Sequence, residues 1–132
     1  MKLITRNTDY AVRALACMAV SKEKIFSVED FIRHLKAPRP FLRKILQTLT
    51  KKGVLQSFRG KGGGFSLAIT PDKIVLTDIM EIFQGPFNLN EHVFKGKGCP
   101  VTDICVLKKR LDTIEKMVNE ELRKISIAEL IR

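Results

Sequence analysis

Apolar positions in this 132-residue chain recur at helical spacing in some stretches and run strand-like in others, with glycines and prolines at the changes. In TDYAVRALACMAV, residues 8 to 20, Ala11, Leu15, Met18 and Ala19 mark one helical face. SVED at 27 to 30 puts an N-cap serine three residues before an acid, the signature of a capping box, and Val28, Phe31, Ile32 and Leu35 then line a short helix. KAPRP ends that helix, because the residue before a proline is pushed out of the helical region. Pro40 suits the first turn of a new helix, and Gly53 suits its end. Phe41, Leu42, Ile45, Leu46 and Leu49 form the apolar stripe of this helix, while Arg39, Arg43, Lys44, Gln47, Thr48 and Lys51 form its outer face. Two helices joined by a tight turn, the second basic and rich in hydrogen-bonding groups on its outside, predict a helix-turn-helix.

VLQSF and GFSLAI flank a glycine-rich turn and predict a hairpin. The turn holds four glycines within residues 60 to 64, with Arg59 and Lys61 among them. It is not a nucleotide-binding P-loop, which needs G-K-[ST] leading into a helix. No GKS or GKT occurs, and a strand-like run follows. A hairpin directly after a helix-turn-helix is a wing. Its glycines permit positive φ and close backbone approach, and Arg59 and Lys61 can reach phosphates or a minor groove.

TDIMEIFQ, residues 77 to 84, predicts a short helix capped by Thr77 and stopped by Gly85, followed by a loop over 85 to 98. A long helix is expected from about Asp103. Ile104, Leu107, Leu111, Ile114 and Val118 recur along it at steps of three and four, the heptad spacing of a helix that packs against its own copy, with packing onto the domain's own core as the alternative. The expected fold is mainly α with a small β-hairpin wing. A winged helix-turn-helix occupies 1–84, a cysteine-bearing sensor loop 85–102, and a dimerisation helix with a C-terminal segment 103–132, all in one compact domain.

Charge sharpens this picture. Residues 1 to 64 hold 14 Lys and Arg against 4 Asp and Glu, and residues 65 to 132 hold 10 of each, so the whole net charge of +10 lies in the first half. Such an asymmetry is the electrostatic footprint expected of a nucleic-acid-binding face. No apolar run approaches the roughly 20 residues of a membrane helix, and MKLITRNTDY lacks the apolar core of a secretory signal. A cytoplasmic protein with no membrane association is expected. Three cysteines are a poor basis for a disulfide framework. Cys17 lies among apolar residues and reads as a small core residue. Cys99 and Cys105 stand six positions apart in GKGCPVTDIC, where thiols can serve as metal ligands or a redox switch.

The order of elements and the string FLRKILQTLTKKGVLQSFRGKGGGFSLA resemble the Rrf-two family of winged-helix transcription regulators, the family of IscR, NsrR and CymR. TDYAVRAL at the start, the RGxGGGFxLA wing, the cysteine loop and the terminal ISIAELI extend the resemblance almost end to end. It implies a homodimeric regulator, most simply a repressor, on a near-palindromic double-stranded DNA operator. By position, residues 38 to 44 (Pro38, Arg39, Pro40, Phe41, Arg43 and Lys44 among them) would enter the major groove and Arg59-Gly60 the minor groove. Arg39, Arg43 and Gln47 carry groups suited to base edges, whereas Lys44, Lys51 and Lys61 suit phosphates.

The same resemblance implies a sensor. Cluster-binding members carry three cysteines in this loop; here Val93 stands six positions before Cys99, and Lys108 replaces a histidine that some relatives have after the last cysteine. Some relatives complete their site with an acid from the first helix and a histidine from the second, both from the partner subunit. The matching positions are Asp9 and His34, which with Cys99 and Cys105 would hold a [2Fe-2S] iron-sulfur cluster across the dimer. Mixed ligation of this kind is chemically sound. His92 is a rival ligand. The expected signal is iron-sulfur status, redox state or nitric oxide. Two alternatives stand beside it: a cluster-free repressor controlled by thiol oxidation or by a regulatory protein partner, and an RNA-binding winged helix, to which the basic half is equally suited. No catalytic constellation is present, so an enzyme is not expected.

Overall fold

The computed structural model describes residues 2–21, 25–88 and 106–131. Six helices and one hairpin follow in the order α1 (Arg6–Val20), α2 (Val28–Leu35), α3 (Arg39–Lys51), β1 (Leu55–Phe58), β2 (Gly64–Leu67), a 3-10 turn at Pro71–Lys73, α4 (Leu76–Gln84), α5 (Val106–Arg123) and α6 (Ile127–Leu130). The predicted class, mainly α with one small hairpin, is the observed one.

Local chemistry sets most boundaries. The Thr5 side chain caps α1, which begins two residues earlier than the apolar pattern marked. Thr8 lies within the first turn, fully buried, and its hydroxyl donates to Gln84 Oε1 at 2.7 Å. The α2 capping box is complete: Asp30 N–H donates to Ser27 Oγ, and Ser27 N–H donates to Asp30 Oδ2 at 2.9 Å. Lys36 ends α2 in the left-handed region at φ 52°, and a three-residue turn leads into α3. At the end of α3, Val54 N–H reaches Leu49 O and Gly53 N–H reaches Thr50 O, the paired bonds of a Schellman stop.

One core joins these elements. Leu15, Phe31, Leu42, Leu46, Leu49, Leu55, Ile79 and Ile127 are all but wholly buried. They come from α1, α2, α3, β1, α4 and α6, so the short last helix is part of the core. Two single-residue bridges tie distant segments. Phe26 pairs with Phe65 through bonds of 2.8 and 2.7 Å, giving the hairpin a third strand-like partner. Val75 pairs with Ser126.

That second bridge changes the start of α4. Thr77 was expected to cap it, but the helix begins at Leu76 with Val75 as N-cap and no side-chain cap bond. The Leu76 N–H is instead taken by the Ile125 carbonyl at 2.8 Å, which a local pattern does not reveal. The heptad seam of α5 is divided. Val118 and Leu122 pack with Leu76 and Met80, while Leu107 and Ile114 stay exposed at 68% and 47%. Ile104, at the expected start of the seam, lies outside the described residues.

Candidate nucleic-acid interface

Helix α3 is polarised by its own sequence. Leu42, Ile45, Leu46 and Leu49 are buried, and Arg43, Lys44 and Gln47 on the opposite side are exposed. Pro38 is its N-cap, Pro40 sits in the first turn, no side chain caps it, and its first turn contains no acid. The amide end of the helix therefore faces outward among cations, an arrangement that favours an anion. Thr48, assigned to the same outer face, bonds its hydroxyl back to the Lys44 carbonyl at 2.8 Å and is committed to the helix. Arg39 forms an ion pair through Nη2 with Glu29 Oε1 of α2.

Phe41 has a supporting place. Its ring is half-buried against the core and meets Tyr10 edge-on at 5.2 Å. The Arg6 guanidinium lies 4.8 Å from the Phe41 ring centroid and 5.7 Å from that of Tyr10. Stacking on two aromatic rings holds a cation in place without neutralising it. Arg6 thus adds a positive group beside the first turn of α3. Sequence reasoning missed it because its spacing to Phe41 is 35 residues and only the fold brings them together.

The wing places Arg59, Gly60 and Lys61 at an exposed tip. β1 and β2 pair antiparallel from Leu55↔Leu67 to Phe58↔Gly64, and Gly63 N–H closes the turn onto Gly60 O at 3.0 Å. Gly60 and Gly62 take φ of 91° and 80°, which lets two basic side chains project from so short a turn. The predicted DNA-contacting cations, Arg39, Arg43, Lys44, Arg59 and Lys61, are all on exposed positions.

The candidate sensor residues are less fully assembled. Cys99, Cys105, His92 and Val93 lie outside the described residues. Among the described residues no group of three or more His, Cys, Asp or Glu side chains converges. His34 is exposed, and its Nδ1 lies 2.7 Å from the Asp30 carbonyl oxygen. A carbonyl can only accept, so Nδ1 is the donor, and Nε2 is the ring nitrogen left for a metal. Asp9 is engaged: Arg13 Nε donates to both its oxygens at 3.1 and 3.2 Å. Cys17 is half-buried against the core, and burial pushes its thiol upward, away from the thiolate that reactivity requires.

The chain matches the Rrf2 family model, described as an iron-dependent transcriptional regulator, over residues 4–132. The protein belongs to the Rrf2 family. An Aquifex aeolicus protein named as an HTH-type transcriptional regulator is 32% identical over 124 residues, 92% of this chain and 86% of that protein. The transcriptional regulator NsrR of Bacillus subtilis is 25% identical over 134 residues, 100% of this chain and 91% of its own length. The structure of CymR, the global cysteine regulator of B. subtilis, superposes with a TM-score of 0.77 at 22% identity, covering 99% of this chain and 97% of that one, and shows the shared winged-helix fold. An Rrf2 chain is a DNA-binding transcriptional regulator, not an enzyme. Among the described residues no helix is long and apolar enough to cross a membrane.

Proposed function

We propose that this Rrf2 protein is a cytoplasmic, homodimeric repressor that reads a near-palindromic operator with α3 in the major groove and Arg59-Gly60 in the minor groove. The observation that carries this reading is the uncapped, acid-free first turn of α3, with Arg6 stacked beside it on Phe41 and exposed cations along the outer face of α3, joined by the exposed cations of the wing tip. Arg39, Arg43 and Gln47 are the base-reading side chains; Arg6, Lys44 and Lys61 are the phosphate contacts. The half-sites would lie about one DNA turn, ~34 Å, apart. The test is selection of duplexes from a random library, followed by Arg43→Ala and Lys44→Ala. Arg43→Ala should relax preference at one base pair by roughly 1–3 kcal/mol, and Lys44→Ala should weaken all sequences alike and lower the salt slope by about one. Stronger binding to structured RNA than to any selected duplex would defeat the reading.

The cysteine loop is the sensor in this proposal. Cys99 and Cys105 of one subunit, with Asp9 and His34 of the other, would hold an iron-sulfur cluster, which supplies a redox-sensitive link between subunits. Such a group acts only through its different affinity for two arrangements of the recognition helices. The free Nε2 of His34 fits this role. The pairing of Asp9 with Arg13 supports a rival, a thiol switch at Cys99 and Cys105, because Asp9 must leave Arg13 before it can ligate a metal. An anaerobic preparation analysed for iron, sulfide and visible absorbance decides between them. Near-stoichiometric iron and sulfide that fall in His34→Ala support the cluster; an iron-free protein that resists reconstitution supports the thiols.

A further inference from the structure

The basic half holds four acids; Glu23 lies outside the described residues, and two of the other three pair within their own helix. Asp9 pairs with Arg13 four residues on. Asp30 serves the capping box and pairs with Arg33 three residues on. Glu29 differs: its partner, Arg39, belongs to another helix, the one that carries the DNA-reading face. The pair does little for the fold. Its side chains are 61% and 45% exposed, and a pair this open to water contributes little to stability. Buried Phe31, Leu42 and Leu46 hold α2 against α3 without it. A carboxylate at this place also repels phosphate, so it acts against simple DNA affinity.

We infer that Glu29 determines the specificity of the DNA surface by holding Arg39 for a guanine edge. The inference rests on the reading that α3 enters the major groove. Arginine offers five donors in a rigid planar fork. Glu29 takes one hydrogen of Nη2, and the other, with a hydrogen of the neighbouring nitrogen, still forms a parallel pair of donors. That remaining fork matches the paired O6 and N7 acceptors of guanine. Swinging Arg39 to a phosphate would instead break the pair and leave Glu29 uncompensated beside the DNA backbone. Glu29 therefore costs affinity on every sequence and returns it only where a guanine meets the held fork.

The experiment uses the full chain and two duplexes of equal length and composition, one selected by the protein from a random library and one scrambled, titrated over a range of salt. Glu29→Gln keeps shape and removes the charge. It should tighten binding to the scrambled duplex several-fold, steepen its salt dependence by about one phosphate contact, and lower the selected-to-scrambled ratio roughly tenfold, the scale of one bidentate base contact. The fall in the ratio should vanish when Arg39→Ala is already present, while a general gain from removing an unpaired carboxylate remains. An unchanged ratio, or the same fall in the ratio in the Arg39→Ala background, overturns the inference, since Glu29 would then be a general surface charge. If Arg39→Ala alone alters neither duplex while selective binding persists, the placement of α3 fails, and the inference with it.

Discussion

Gly64 sits where no side chain fits. A Cβ there would lie 2.3 Å from the Phe26 carbonyl oxygen and 2.7 Å from its carbon, both backbone atoms that cannot turn aside. The close approach exists because Phe26 and Phe65 exchange backbone bonds immediately next to it. Gly62 takes positive φ as well, at 80°, but a Cβ there meets nothing within 4 Å. The two positions separate steric exclusion from backbone preference. Gly62→Ala should cost about 1–2 kcal/mol, the penalty for an L-residue in the left-handed region. Gly64→Ala should cost more, about 3 kcal/mol or above, because it also pushes the wing off Phe26. Urea unfolding of the two variants checks this; equal midpoints would show that the Phe26 bridge does not anchor the wing.

At the scale of the element, α2 depends on its first turn. The Ser27 backbone amide donates to the Asp30 carboxylate and holds it below the usual carboxylate range; burial opposes this, while the Ser27 hydroxyl and the Arg33 guanidinium reinforce it. A carboxyl with a depressed folded pKa stabilises the native state above its unfolded pKa and loses that contribution as pH falls through the folded value. The loss therefore begins as pH falls towards about 3.9, the ordinary aspartate value, and continues below it. Asp30→Asn should flatten the acid side of a Tm-against-pH curve while leaving its shape near neutrality unchanged, and Ser27→Ala should cost about 1 kcal/mol at pH 7. This box was legible in SVED because its partners are three residues apart. The outward face of α3 and the glycine turn of the wing were legible for the same reason. What the sequence concealed spans long separations: Phe26 with Phe65, Leu76 with Ile125, Arg6 with Phe41. Each is a single residue meeting one distant group, so no period announces it. Thr77 looked like a cap because serine and threonine usually are, and the Ile125 carbonyl replaced it. Glu29 carries no signal of its own within SVED, and only the turn between α2 and α3 brings it to Arg39.

For the molecule as a whole, the division of charge and the division of the α5 seam point the same way. The excess positive charge falls in the segment that forms α1 to the wing, and the later half is balanced. A charge-balanced long helix with a half-covered apolar seam suits association better than contact with DNA. The lower seam, Val118 and Leu122, is used by the chain's own core; the upper seam shows Leu107 and Ile114 to solvent, with Met117 beside them at 61% exposure. If two copies meet along this upper seam, a charge there should dissociate them without unfolding either, because Ile114 belongs to neither core cluster. Ile114→Asp should therefore sediment as a folded monomer with a nearly unchanged Tm. Its affinity for a two-half-site duplex should fall by roughly 10²–10⁴, the gain that linking two binding modules provides. Its affinity for an isolated half-site should hold, since Arg39, Arg43 and the wing are untouched. A variant that still sediments as a dimer would place the subunit contact elsewhere on the chain. One that is monomeric yet binds the paired site as tightly as before would show that the two recognition helices act independently.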